Sequence, residues 1–230
     1  MNEGQKARPW GRWAGEVVVI VASVFVAIYL EGLADDAERA ADAHAVLAQV
    51  SAELASDLES IPAIRQQQGE LVEVYAALSD WMGSPRSLPT DSVQSALDYV
   101  GFNNRTLYPS SGAWRALTSA GQLVWVEDQA LVARLANFYE NRAIQLEFNG
   151  RDYDFNVNEV IRVTATRAWD FQRREPRVNG GADLVELSGQ LRYLGTSWNP
   201  YYISLLDQYA QEIEALLIDI DAYLTGSGDN

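Results

Sequence analysis

The chain contains no cysteine, one histidine (His44) and one lysine (Lys6). The missing thiols exclude disulfides and thiolate metal sites. A lone imidazole makes a poor metal site, and a Ser-His-Asp triad would have to use His44, on a helical stretch with no serine elbow. Gly-x-Ser-x-Gly, P-loop and GxGxxG patterns are absent as well. Positive charge is the next shortage. From residue 31 onward, 14 arginines face 30 acidic side chains. Such a surface repels phosphate backbones, so no nucleic-acid partner is expected. Carboxylates are so abundant that no pair stands out as acid and base. No catalytic, metal-ligating or cofactor-binding residue is assigned, and no cofactor is implied.

What the chain does have is a long apolar run, WAGEVVVIVASVFVAIYLEGL, residues 13–33. Its length of about 30 Å as a helix matches a bilayer core. Lys6, Arg8 and Arg12 precede it, and Glu31, Asp35, Asp36 and Glu38 follow. Trp10 and Trp13 would mark one interface and Tyr29 the other. The expectation is one N-terminal transmembrane helix, with residues 1–12 cytoplasmic, an all-α domain over 34–224 in the periplasm of a bacterial inner membrane, and a disordered tail at 225–230. A cleavable signal peptide is the rival reading, with Ala41-Asp42-Ala43 resembling a cleavage site. The run is long enough to span, which favours a retained anchor. Glu16, Ile20, Ser23, Ala27 and Glu31 fall on one helical face. That stripe of small and polar residues reads as a docking face for another integral membrane subunit. The bland alternative has Glu16 snorkelling to the headgroups and Ser23 and Ala27 as filler.

Beyond the run, Ala40, Ala43, Leu47, Val50, Leu54, Leu58 and Ile61 recur at three- and four-residue steps. They predict an amphipathic helix with a coiled-coil-like seam. Pro62 is expected to end or kink it. Ile64, Leu71, Val74 or Tyr75, Leu78 and Met82 predict a second helix, folded back as a hairpin and closed by the loop GSPRSLPT at 83–90. Thr90 or Asp91 can cap a short helix carrying Val93, Leu97 and Val100, with Gly101 as its stop. Ser110 or Ser111 can start another through Trp114 and Leu117, ended by Gly121. Glu127 or Asp128 starts a longer one that buries Leu131, Leu135, Phe138 and Tyr139.

The pairing of GEVVVIVASVFVAIYLEG with YPSSGAWRALTSAGQLVWVEDQALVARLANFYEN, residues 108–141, resembles an uncharacterised bacterial family of single-pass, membrane-anchored helical proteins. Gly15 and Glu16 match the Gly-Glu at the head of its anchor. Ser119 to Gly121 match its small-residue turn, and Phe138-Tyr139 its Tyr-containing helix. Glu31-Gly32-Leu33 stand where that family usually has an Asn-Trp pair. The resemblance implies the architecture and no activity.

Asp152, Asp154, Asn156 and Asn158 alternate like a calcium loop, but Val157 and Val163 occupy the positions that need Gly and Glu. Helix running on through VIRVTATRAWDF, with polar atoms facing water, fits better. Arg173, Arg174 and Arg177, near Gly180-Gly181, suggest an exposed basic loop. Asp183 to Leu194 predicts a short helix. Asn199-Pro200 predicts the capped start of a closing helix carrying Ile203, Leu206, Ile213 and Ile220.

The function these features suggest is a non-catalytic accessory or scaffold subunit of a larger inner-membrane complex, a respiratory or photosynthetic assembly by analogy. Its partners would be the bilayer and other membrane subunits. The alternative is a periplasmic sensor or ligand-binding module, with Trp114, Trp125, Trp169 and Trp198 lining a pocket. An envelope enzyme working through carboxylates is the third reading.

Overall fold

A computed structural model describes residues 10–84, 89–178 and 181–226, with side chains from Val19 onward. Helix dominates. One helix, α1 (Trp10–Gly83), runs for 74 residues, about 110 Å at 1.5 Å per residue. Apart from Ser79, its buried positions are Ala43, Leu47, Val50, Leu54, Asp57, Ile61, Ile64, Gln68, Leu71, Tyr75, Leu78 and Met82. They alternate steps of four and three without interruption, which is the heptad seam of a coiled coil.

The expected break at Pro62 does not occur. Proline inside a helix costs about 3 kcal/mol. Each of Ile61, Ile64 and Leu71, fully buried around it, gains roughly 1.5–3 kcal/mol by burial. Pro62 itself lies on the exposed face, where water can reach the carbonyl it leaves unpaired. The seam therefore carries the helix through.

The assignment of a transmembrane helix to residues 13–33 is also overturned. Among the described residues, no helix is long and apolar enough to cross a membrane. Ser23 apart, the apolar stretch runs only from Val17 to Leu30, between Glu16 and Glu31, about 21 Å of helix. A hydrocarbon core needs about 30 Å. The fold is thus mostly helical, without the predicted span. Residues 1–9 and 227–230 lie outside the described residues, whereas Thr225 and Gly226, assigned to the tail, belong to the last helix.

Among the described residues, seven further α-helices follow. They are α2 (Thr90–Asn103), α3 (Gly112–Ser119), α4 (Gln129–Asn137), α5 (Ile144–Glu159), α6 (Thr166–Ala168), α7 (Gly181–Tyr193) and α8 (Asn199–Gly226). Asp128 caps α4, its carboxylate accepting from the backbone N–H of Ala130 and Leu131 at 2.9 Å each. Gly121, at φ 67°, ends the turn after α3 in the left-handed conformation. Neither Ser111 nor Thr90 caps by its side chain. π-helical turns, Phe138–Ala143, Val160–Ala165 and Leu194–Trp198, join α4 to α5, α5 to α6 and α7 to α8. Asn199 therefore sits in mid-helix at φ −62°, not at a cap. A minimal hairpin, β1 (Trp169–Asp170) and β2 (Glu175–Pro176), closes the middle of the chain. Arg174, in its turn, and Arg177 are drawn onto Asp91 and Asp170.

The predicted hairpin partner of residues 34–61 was the wrong one. Residues 64–82 continue the same helix, and α8 lies against it antiparallel. Its buried Asn199, Tyr202, Leu206, Tyr209, Ile213, Leu216 and Ile220 repeat the same steps of three and four. At Asp57 and Gln68, where the α1 seam turns polar, α8 answers, while buried Ser79 pairs with Ser188 of α7. The Tyr209 hydroxyl donates to Asp57 at 2.9 Å, and the Asn199 amide donates to Gln68 at 2.9 Å. Sliding the helices by one heptad would orphan both pairs, so they fix the register.

Gln68 also marks the boundary between two apolar cores. One surrounds residues 43–64 of α1 and includes Leu107, Trp114, Phe138 and Ile213. The other surrounds residues 71–82 and includes Val93, Leu97, Trp169 and Leu187. Within the second core Tyr75 and Tyr153 share a hydrogen bond of 3.0 Å, and Asn199 donates to the Tyr153 hydroxyl at 3.1 Å. Burial pushes the Tyr75 phenol well above its usual range and the Tyr153 phenol up to about 12.

Candidate functional site

Between α2 and α3 the chain crosses the bundle in extended form, without a sheet partner. Its backbone groups must be satisfied some other way. Side chains supply it. The Gln67 and Gln68 amides donate to the carbonyls of Asn103 and Arg105, both at 2.6 Å. The N–H of Leu107 donates to the Tyr202 hydroxyl at 2.7 Å. Ser110 gives Asp57 its N–H at 2.9 Å and its hydroxyl at 2.8 Å, and Ala113 N–H reaches Glu53 at 3.0 Å. Asp57 is 5 % exposed and carries three hydrogen bonds, all from neutral donors.

Extended backbone points alternate residues to one side. That periodicity brings Asn104, Thr106 and Tyr108 onto one carboxylate, Asp154 of α5, at 2.7, 2.7 and 2.5 Å. The bond to Asp154 raises the Tyr108 phenol above its usual range. Asp154 was read from the sequence as facing water. It instead holds this strap, while Asn156 and Asn158 bond back to the carbonyls of Asp152 and Asp154 at 2.7 and 2.8 Å. On a helix these four residues fan outward and do not converge as a calcium loop does.

Beside the strap, α2 and the turn 160–165 border a half-open cavity of about 770 Å³. Phe102, Tyr108 and Phe171 line it, along with Asp98, Asp154 and Arg162. Asp98 accepts both its bonds from the Gln94 amide, at 3.1 and 3.0 Å, and Gln94 in turn accepts the Trp169 indole N–H at 2.8 Å.

Trp114, Trp125, Trp169 and Trp198, expected to line a pocket, do not share one among the cavities described. Trp114 stacks on Tyr139 in one core, with ring centroids 5.0 Å apart, and Trp169 is buried in the other. Trp198 packs against that second core. Trp125 lies under the Arg39 guanidinium, 5.4 Å away, where α1 leaves the bundle. His44 packs against Tyr223, its Nε2 3.2 Å from the phenol oxygen.

Of the sequence-predicted docking stripe, Ile20, Ser23, Ala27 and Glu31 stand exposed on α1, clear of both cores. The side chain of Glu16 lies outside the described residues. The Ser23 hydroxyl is turned back on its own helix, donating to the Val19 carbonyl at 2.8 Å. The stripe is part of a larger bare surface. Val19, Ile20, Val21, Val24, Phe25, Val26, Ile28, Tyr29, Leu30 and Leu33 are between 47 % and 69 % exposed. Residues 19–33 thus form an apolar arm beyond the bundle.

The strap went unseen in the sequence although a signal was present. Extending the seam of α1 by strict heptads places Asp57 and Gln68 inside it, and a polar residue there requires a buried partner. The alternation of Asn104, Thr106 and Tyr108 was the second sign.

The family model of DUF6090, a family of unknown function, matches residues 16–175. That stretch holds the arm, the strap, the Asp154 cavity and most of α1. No curated protein matches the chain, and no solved structure does.

Proposed function

The chain belongs to the DUF6090 family, and on that premise we propose that it is a non-catalytic accessory subunit of a larger protein assembly. It docks on an apolar helix of another subunit through the arm at residues 19–33 and holds its acidic bundle beside that partner. The observation that carries this reading is the arm itself. Contiguous exposed apolar surface of this extent marks an association site. Ser23 and Ala27 are small, so a partner helix can approach closely. Helix α1 itself continues unbroken from the bundle into the arm, so a partner bound there would be held at a fixed distance from the domain. The buried polar groups add support, since Asp57, Gln68 and Asn199 are occupied in fixing register rather than facing a cavity.

The test is gentle extraction of the tagged full-length chain from its source cells, followed by native mass spectrometry. One other polypeptide at fixed stoichiometry is expected. It should be lost when Val24, Phe25 and Ile28 are replaced together by glutamine. A full-length chain that runs alone, or pairs only with copies of itself, would overturn the reading.

A further inference from the structure

The cavity beside the strap has a chemistry that the docking arm does not use. Its volume of about 770 Å³ falls in the range of small-molecule sites. Three aromatic rings, Phe102, Tyr108 and Phe171, line it together with two carboxylates. Both carboxylates are held by neutral donors only: Asp98 by the Gln94 amide, Asp154 by Asn104, Thr106 and Tyr108. Neither is in a direct ion pair among the described residues, and Arg162 is the one cation that shares the lining with them. Asp154 has a further effect, since its bond to the Tyr108 hydroxyl holds that ring in the wall. Phe102 is 86 % exposed and packs in neither core. A large apolar ring left in water at a cavity mouth contributes little to the fold and is placed to meet a ligand.

We propose that this cavity binds a small organic cation of the alkylated ammonium class. Aromatic faces attract such cations through the ring quadrupole, and an alkylated ammonium loses less hydration on entry than a metal ion or a primary amine. The surrounding field favours it as well, because the chain carries a net charge of −15. Arg162 is the one basic side chain among the described residues lining the cavity, and it is exposed. It opposes a cation and would favour an anion, which makes it the discriminating residue.

The probe is choline, titrated calorimetrically into the full-length chain. Its neutral carbon isostere, with carbon in place of the quaternary nitrogen, and benzoate serve as comparisons. Saturable choline binding is expected, with the isostere weaker by about threefold or more. F102A, at an exposed position, and Asp98→Asn should each weaken choline while leaving the melting curve in place. Arg162→Gln should tighten choline by up to about fivefold, the range for an exposed charge. No saturable heat with choline would overturn the proposal, as would equal binding of the isostere. So would benzoate binding that is lost in Arg162→Gln. None of these outcomes bears on the arm, whose variants leave the cavity intact.

Discussion

Asp57 is a buried carboxylate in a coiled-coil seam, and its three hydrogen-bond donors are all neutral. Its desolvation is offset by hydrogen bonds from Ser110 N–H, Ser110 Oγ and Tyr209 OH. Truncation to alanine would leave the Tyr209 phenol and the Ser110 amide buried without acceptors. Asp57→Ala should therefore cost about 3 kcal/mol, read from urea denaturation, and Asp57→Asn clearly less. Equal losses in the two variants would show that the hydrogen bonds are not what matters. Gly195 makes a different demand. A Cβ there would fall 2.9 Å from the Tyr75 Cβ, closer than carbon atoms approach. Gly195→Ala should destabilise by about 1–3 kcal/mol through displacement of the Leu194–Trp198 turn. A variant with wild-type stability would show that the turn can yield. The buried tyrosines set the alkaline limit. Tyr75, Tyr139, Tyr202 and Tyr209 are pushed above their usual range chiefly by burial, and Tyr153 to about 12. In the unfolded chain they ionise near pH 10. Above that pH the unfolded state has lost protons that the folded state retains, so stability falls as pH rises. Their contribution is complete below about pH 10 and disappears above it. Circular dichroism and tyrosinate absorbance should change together in one transition. Gradual ionisation with the helix signal intact would contradict this.

At the scale of elements, the sequence was legible wherever a pattern was local. The seam from Ala43 to Ile61, the Asp128 cap, the buried face Leu131 to Tyr139 and the left-handed Gly121 all depend on neighbours a few residues away. Long-range partners overrode local signals elsewhere. Pro62 breaks a helix in isolation, but the Ile61 and Ile64 positions on either side are buried by contacts with distant parts of the chain. Asn199-Pro200 has the sequence of a helix start, yet the π-helical turn before it already supplies helical backbone. The Asn199 side chain is therefore free to reach Gln68. The strap shows the same limit. Asp154 and the Asn104–Thr106–Tyr108 set are 46 to 50 residues apart, and their meeting depends on where α5 comes to rest. The apolar stretch 13–33 was misjudged for another reason. A window over 13–33 takes in Glu16 and Glu31, and between those carboxylates only Val17 to Leu30 is apolar, Ser23 apart, which is shorter than a hydrocarbon core.

The whole molecule has two unlike ends. The bundle is acidic, with arginines such as Arg65, Arg142, Arg167 and Arg192 in ion pairs on its surface. The arm from Val19 to Leu30 carries no charge at all. Neither core includes any residue before Ala43, so the bundle gains nothing from the arm's apolar side chains. Replacing Val24, Phe25 and Ile28 by glutamine should then leave unfolding free energy within about 0.5 kcal/mol of wild type, as for other exposed positions. The same replacement should reduce concentration-dependent association seen by sedimentation, because exposed apolar surface drives non-specific contact. These two readouts separate the arm's possible roles. A fall in stability with association unchanged would mean that the arm packs on the bundle and is not a docking surface. Unchanged stability with reduced association places the arm's apolar side chains outside the folding energetics, available to another chain.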